Sequence, residues 1–220
     1  MTADHAFLRA TRASYDAIAH DYAAAFPGGP ADRPLERALL AAFAELVRAG
    51  GDAPVADVGC GPGNVTAHLH DLGVPVFGVD LSPRMVALAS RAHPGLRFHV
   101  GSMTGLDLPD ATLGGVLALD SVIHIPDAHL PAVLAEFHRV LVPGGLLLLG
   151  FRTGDAEHLH LSERFGHETS LDYYFRTPQD MAAAVTDAGL EPRARLLREP
   201  EGEEKRARAF LLAARPGARG

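Results

Sequence analysis

The run Asp57-Val58-Gly59-Cys60-Gly61-Pro62-Gly63-Asn64 holds the residues best suited to receive a ligand. Glycines at alternate positions allow a tight turn and let a bound molecule reach the backbone without meeting a Cβ. A dinucleotide fingerprint needs G-x-G-x-x-G, and Asn64 stands where its last glycine belongs, so the spacing disfavours a nicotinamide oxidoreductase. Asp80 closes the apolar run 76–79, about 20 residues beyond the glycines, where an acid can accept both hydroxyls of a ribose. Ser82 and Pro83 supply helix-cap and first-turn chemistry, which leaves Asp80 for a ligand. Gly101-Ser102-Met103 pairs a small backbone with a flexible apolar side chain, suited to flanking an adenine ring. Asp120-Ser121-Val122-Ile123-His124 adds an acid and an imidazole after the next apolar run.

These groups need a scaffold that brings them together. Apolar runs at 55–58, 76–79, 96–100, 116–119 and 146–151 read as strands, and 65–72, 85–92 and 130–141 read as helices. Alternation of the two, with little polar alternation inside the strands, predicts a parallel sheet covered on both faces, a doubly wound α/β fold. Strand carboxyl ends in such sheets converge on one crevice, and the four candidate contacts all follow strands. Before the sheet, Phe7, Leu8, Thr11, Tyr15, Ile18, Tyr22 and Phe26 mark one face of a helix stopped by Pro27-Gly28-Gly29-Pro30. A second helix runs from about Pro34 to Gly50-Gly51. Residues 152–177 show weak periodicity and are expected to form an irregular insertion over the sheet. A helix at 178–188 ended by Gly189, then strands near 194–198 and 207–213, complete the chain as an antiparallel hairpin.

With these motifs placed, the chain resembles the class I S-adenosylmethionine (SAM)-dependent methyltransferases. Residues 55–69 are similar to that family's D/E-x-G-x-G-x-G motif, and Phe77-Gly78-Val79-Asp80-Leu81-Ser82-Pro83-Arg84-Met85 to its acidic ribose motif. Residues 101–110 resemble its adenine-flanking segment, and 140–150 the turn before its fifth strand. The resemblance spans roughly residues 12–215. It implies a seven-stranded, mostly parallel Rossmann-like sheet whose last strand is antiparallel. The organisation expected is one domain over 1–220: a helical lid over 1–50, a SAM-binding core over 51–151, a substrate lid over 152–177, and a terminal helix and hairpin over 178–220.

By position, the resemblance implies that Asp57, Gly59, Gly61 and Gly63 lie against SAM, with Asp80 on the ribose. Leu81 and Met103 would contact the adenine, and Ser102 its exocyclic edge. Tyr15 and Tyr22 resemble the family's N-terminal cofactor lid. The family often carries aromatic residues or asparagine before the motif after its fourth strand. Here Leu119-Asp120 stand, so Asp120 is expected to bind the cofactor's amino group or meet a basic acceptor. SAM carries an activated methyl group, so the protein must orient the reactants and exclude water. Where the acceptor is a hydroxyl or amine, a base near neutrality helps remove its proton. His124 is the first candidate for that base and His167 the second; the surroundings of His167, with Leu171-Asp172 and Phe175, resemble a subgroup of small bacterial methyltransferases.

Composition narrows the partner. A formal net charge of −7, from 20 Lys+Arg against 27 Asp+Glu, argues against nucleic acid and leaves a small-molecule acceptor, methylated at oxygen, nitrogen, carbon or sulfur. The alternative is a SAM-binding protein without methyl transfer, a scaffold or a rearrangement catalyst. Cys60, the lone cysteine, excludes an internal disulfide and is expected to pack in the turn. His158, His160, His167 and Glu168 lie on a loop without cysteine partners, so no metal site is expected. Asp4, Arg9, Arg12 and Asp16 interrupt any signal-peptide core, and no apolar run reaches membrane length. The expectation is a cytoplasmic protein, monomer or homodimer, that meets no membrane.

Overall fold

The computed structural model describes residues 6–30 and 32–217; Asp4 lies outside them. Two helices lead, α1 (Ala6–Ala25) and α2 (Pro34–Gly50). Then β1 (Val55–Val58), α3 (Asn64–Asp71), β2 (Val76–Asp80), α4 (Pro83–Ala92), β3 (Phe98–Val100), β4 (Leu113–Leu119), α5 (Leu130–Val140) and β5 (Leu141–Arg152) alternate as the apolar runs predict. All four neighbouring pairs among these strands are parallel. Their apolar continuity has a direct cause. On β4, Val116 and Ala118 join the cluster under α5 that holds Val133 and Phe137, whereas Leu117 joins Leu40, Phe43 and Val47 of α2. Both faces are covered, so neither can be polar.

The sheet has seven strands in the order β3-β2-β1-β4-β5-β9-β8, with β8 (Glu191–Arg198) and β9 (Arg208–Ala214) following α6 (Pro178–Asp187). The final strand inserts between β5 and β8 and is antiparallel to both. Chain order reverses between β1 and β4, which places the crevice above their carboxyl ends.

Residues 152–177 depart from expectation. In place of an irregular insertion they form a separate two-stranded antiparallel sheet, β6 (His158–Arg164) and β7 (His167–Tyr174). Phe165 and Gly166 form its turn, both at positive φ, 53° and 76°. On β7, Thr169, Leu171 and Tyr173 alternate inward, whereas β6 is largely exposed, and that one-sided burial blurred the period.

Helix α1 is strapped over the crevice from two sides. Ser14 Oγ accepts the Ser170 backbone N–H of β7 at 2.8 Å, and Asp16 accepts the Ser82 hydroxyl at the start of α4 at 2.6 Å. Among the described residues no helix is long and apolar enough to cross a membrane.

Candidate functional site

The glycines of the turn after β1 divide the work. Gly59 (φ +82°) passes so close to the segment after β4 that a Cβ would stand 2.2 Å from Ser121 Cβ. A Cβ on Gly61 (φ +53°) would meet nothing within 4 Å. Gly61 is therefore the glycine with open space beside it, and Gly59 is a packing requirement. Gly63 corrects the sequence reading: buried at the start of α3, it faces Phe98 and Ala89, and it lines neither cavity of the site.

Two cavities meet over the carboxyl ends of β1 and β4. The narrower, about 100 Å³, runs between α1 and the ends of β1 to β4, and is lined by Asp80, Leu81, Met85, Ser102 and Met103 together with Phe7, Leu8 and Thr11. The wider, about 350 Å³, opens toward the β6–β7 hairpin and is lined by Asp57, Arg152, Arg164, Tyr173 and Arg208. Tyr15, Tyr22, Gly59, Gly61, Leu119 and Asp120 line both. The two tyrosine rings stand edge to face, 5.8 Å apart.

Asp80 is less free than its position suggested. Its two oxygens already accept the backbone N–H groups of Gly61 and Ser82, each at 2.8 Å, so the carboxylate ties the two turns together. Each oxygen keeps a further lone pair for a ligand. Burial raises its pKa, and the two N–H donors hold it back. Ser82 caps α4 as expected, accepting from the Met85 N–H at 3.1 Å. Ser102 lines the narrow cavity, but its hydroxyl is engaged with the Thr104 hydroxyl at 2.8 Å and does not stand free for a ring edge. Cys60 is buried in the turn, where burial pushes its thiol pKa well up. Asp57, also buried, accepts the Thr66 hydroxyl at 2.6 Å, and burial pushes its carboxyl up to about 7.

Asp120 sits at φ 51°, a conformation that L side chains rarely adopt. One oxygen makes an ion pair with Arg208 at 2.7 Å; the other, Oδ1, is buried with no hydrogen-bond partner among the described residues. A buried carboxylate oxygen without a partner, on a residue that lines both cavities, is an acceptor in want of a donor.

His124, in a 3-10 turn over Val122–His124, is buried beside the narrow cavity. Its Nδ1 lies 2.8 Å from the Asp172 carbonyl, which can only accept, so Nδ1 carries the hydrogen. Nε2 is then the acceptor, and the Tyr15 hydroxyl donates to it at 2.7 Å. Burial pushes the imidazole down to about 4 and the Tyr15 phenol well up, so both are neutral at neutral pH. This revises the reading of His124 as a base near neutrality: it lines the narrow cavity, but both its ring nitrogens are engaged, Nε2 by the Tyr15 hydroxyl.

His167 is corrected outright. The hairpin register sets it beside the turn, exposed, where Nε2 meets Asp21 of α1 at 2.8 Å, and it lines neither cavity. His158 and His160 both reach Asp172 Oδ1 at 2.8 Å on the outer side of the hairpin. Among the described residues no group of three or more His, Cys, Asp or Glu could hold a metal ion.

A family model described as a methyltransferase domain matches residues 55–145, from the first residue of β1 to the middle of β5. That stretch of the chain is similar to a methyltransferase domain. Curated relatives align over the same part. Phosphoethanolamine N-methyltransferase 3 of Arabidopsis thaliana is 35% identical over 100 residues, 43% of this chain and 20% of the relative. Demethylmenaquinone methyltransferase of Chlorobaculum parvum is 37% identical over 92 residues, 41% of this chain and 37% of the relative. The chain thus spans well under half the length of either relative. Among solved structures, the 1,6-didemethyltoxoflavin-N1-methyltransferase of Burkholderia thailandensis superposes with a TM-score of 0.75 at 23% identity, covering 98% of this chain and 92% of that one. That likeness shows that the fold extends beyond the matched core to nearly the whole chain.

Several residues lining the two cavities escaped the sequence reading. Arg152 ends β5 and Arg208 begins β9; an antiparallel strand starts where its parallel neighbours finish, so both reach the crevice. Once the last strand is read as antiparallel, that rule finds Arg208. Arg164 and Tyr173 come from the hairpin that weak periodicity hid.

Proposed function

We propose that this chain transfers the methyl group of SAM to a small-molecule acceptor in the cytoplasm. The observation that carries the reading is the unpartnered Oδ1 of Asp120, a residue that lines both cavities together with Gly61. A carboxylate left bare there suits the ammonium of an amino-acid-bearing nucleoside. The site fits the rest of that molecule too: Asp80 retains lone pairs for two ribose hydroxyls, and Leu81 and Met103 offer apolar walls for adenine. Bound SAM supplies a methyl group already activated on a sulfonium.

What the chain adds is enclosure and orientation. Phe7, Leu8 and Thr11 of α1 roof the narrow cavity, and Tyr15 and Tyr22 shield both cavities from water. The Tyr15 oxygen, having given its hydrogen to His124 Nε2, presents lone pairs toward the cavities and can hold an acceptor O–H or N–H in place. His124 acts through Tyr15 as a positioning residue.

The relatives are named for different acceptors, and none is transferred to this chain. Titration of SAM, S-adenosylhomocysteine and NAD by calorimetry tests the cofactor. Binding of the adenosyl compounds is expected, and a response to NAD alone would overturn the reading. A metabolite screen with tritiated SAM then tests transfer. Tight SAM binding with no labelled product from any pool would favour a SAM-binding protein without methyl transfer.

A further inference from the structure

Several arginines of this chain stand on carboxylates. Arg33 and Arg208 meet Glu36 at 3.3 and 3.1 Å, Arg139 meets Glu136 and Asp110, Arg176 meets Asp127, Arg198 meets Glu204, and Arg206 meets Glu157. The protein is acidic overall, with a formal net charge of −7, so counter-charges are plentiful. Four arginines line the wide cavity; Arg33 and Arg208 are paired, whereas among the described residues Arg152 and Arg164 make no ion pair.

Their placement is specific. Arg152 is directly opposite Arg208 in the β5–β9 register, so the two side chains leave the same face of the sheet. Like charges opposite each other are destabilising unless neutralised. Asp120 and Glu36 neutralise Arg208 and leave Arg152 unmatched. Arg164, at the end of β6, is held by protein groups that leave its charge intact. It donates to the Tyr173 hydroxyl, and its guanidinium lies 5.4 Å from the Tyr22 ring centre and 5.1 Å from that of Phe165. A guanidinium packed on rings and oriented by a hydroxyl presents its remaining N–H donors in a fixed fork, matched to a carboxylate or phosphate. Of the lining carboxylates, Glu36 and Asp120 are taken up by arginines, and Asp57 is bound to Thr66. Asp32 lies on the exposed N-terminal rim. Neither arginine lines the narrow cavity that holds Asp80, Leu81, Ser102 and Met103.

We propose that Arg152 and Arg164 form an oxyanion subsite, and that the methyl acceptor is an acid whose carboxylate or phosphate they bind in the wide cavity. The proposal rests on the methyltransferase reading for the word acceptor. The subsite itself rests on the two unmatched cations.

The test uses the whole protein and four probes: S-adenosylhomocysteine, 5′-methylthioadenosine (which lacks the amino-acid carboxylate), inorganic phosphate, and benzoate as a carboxylate counterpart. Phosphate or benzoate should bind, with or without S-adenosylhomocysteine. That affinity should fall about tenfold in Arg152→Gln and in Arg164→Gln, as expected for loss of a charge-assisted pair. Arg152→Lys and Arg164→Lys keep the charge and should retain part of it, which separates loss of the subsite from loss of the fold. S-adenosylhomocysteine affinity should stay within about twofold of wild type if, as proposed, the two arginines hold the acceptor and not the cofactor. If instead its affinity falls about tenfold in the glutamine variants while 5′-methylthioadenosine is unaffected, the arginines hold the cofactor's own carboxylate and the proposal fails. Equal anion binding by wild type and variants, or none by wild type, also overturns it. Failure of S-adenosylhomocysteine to bind wild type would remove the methyltransferase reading alone, since the anion titration without it still reads the subsite.

Discussion

The two cavities are built on opposite plans. The narrow one is furnished in good part by residues at or just beyond strand ends: Asp80 closing β2 and Leu81 after it, Ser102 and Met103 in the turn past β3. The wide one is assembled from distant parts of the chain: Glu36 in α2, Arg152 at the end of β5, Arg164 and Tyr173 in the hairpin, Arg208 in the last strand. A site made by turns depends on backbone geometry, and one made by convergence depends on charge balance. Substitutions should therefore harm the two sides differently.

The largest effect is expected at Gly59. Alanine there places a Cβ 2.2 Å from Ser121 at φ +82°, and should cost about 3 kcal/mol or more of stability, read from the urea midpoint. Gly61→Ala faces open space at φ +53°, so it should cost about 1 kcal/mol of stability while weakening S-adenosylhomocysteine binding. Equal stability losses at the two positions would erase the division of labour between them.

Next in size is a pH effect at His124, on the narrow side. The folded-state pKa of His124 is about 4, against 6.5 for an exposed imidazole, because burial disfavours the cation. Between those values the unfolded chain takes up a proton that the folded chain refuses, so this group's contribution to stability is lost as pH falls from 6.5 to 4. His124→Asn should abolish about 3 kcal/mol of that acid sensitivity, measured as the difference between wild-type and variant urea midpoints across the range. Asp57 acts in the opposite sense. Its folded pKa of about 7 exceeds the usual 3.8, so its contribution falls as pH rises between them. Parallel pH profiles for wild type and His124→Asn would mean that the imidazole titrates normally.

Asp80→Ala should weaken S-adenosylhomocysteine by about 1–3 kcal/mol, and also loosen the two turns it joins. Asp80→Asn, which keeps one acceptor oxygen, separates the two roles. Unchanged affinity in both variants would remove Asp80 from the ligand. The smallest effect is expected for Tyr15→Phe. Turnover should fall by about tenfold, the worth of one hydrogen bond, with S-adenosylhomocysteine affinity preserved. A loss of affinity matching the loss of turnover would move Tyr15 to the narrow side of the comparison.

How far the sequence could be read follows the same division. Strand runs covered on both faces are continuously apolar, so β1, β2 and β4 and the turns after them were legible, and with them the places of Asp80 and Asp120 in the crevice. Gly63 was misassigned because a glycine needed for packing against Phe98 looks, in sequence, the same as one that leaves room for a ligand. His124 was placed correctly but given the wrong chemistry, since its partner Tyr15 lies 109 residues away. His167 misled because its pairing with Asp21 depends on a hairpin whose outer strand carries no apolar signal.

Helix α1 contributes Tyr15 and Tyr22 to both cavities and is fastened to the hairpin through Ser14–Ser170 and to α4 through Asp16–Ser82. A single shutter thus serves two doors. In the proposed reaction, any opening of α1 that released the nucleoside would also uncover the wide cavity, so departure and arrival would share one gate.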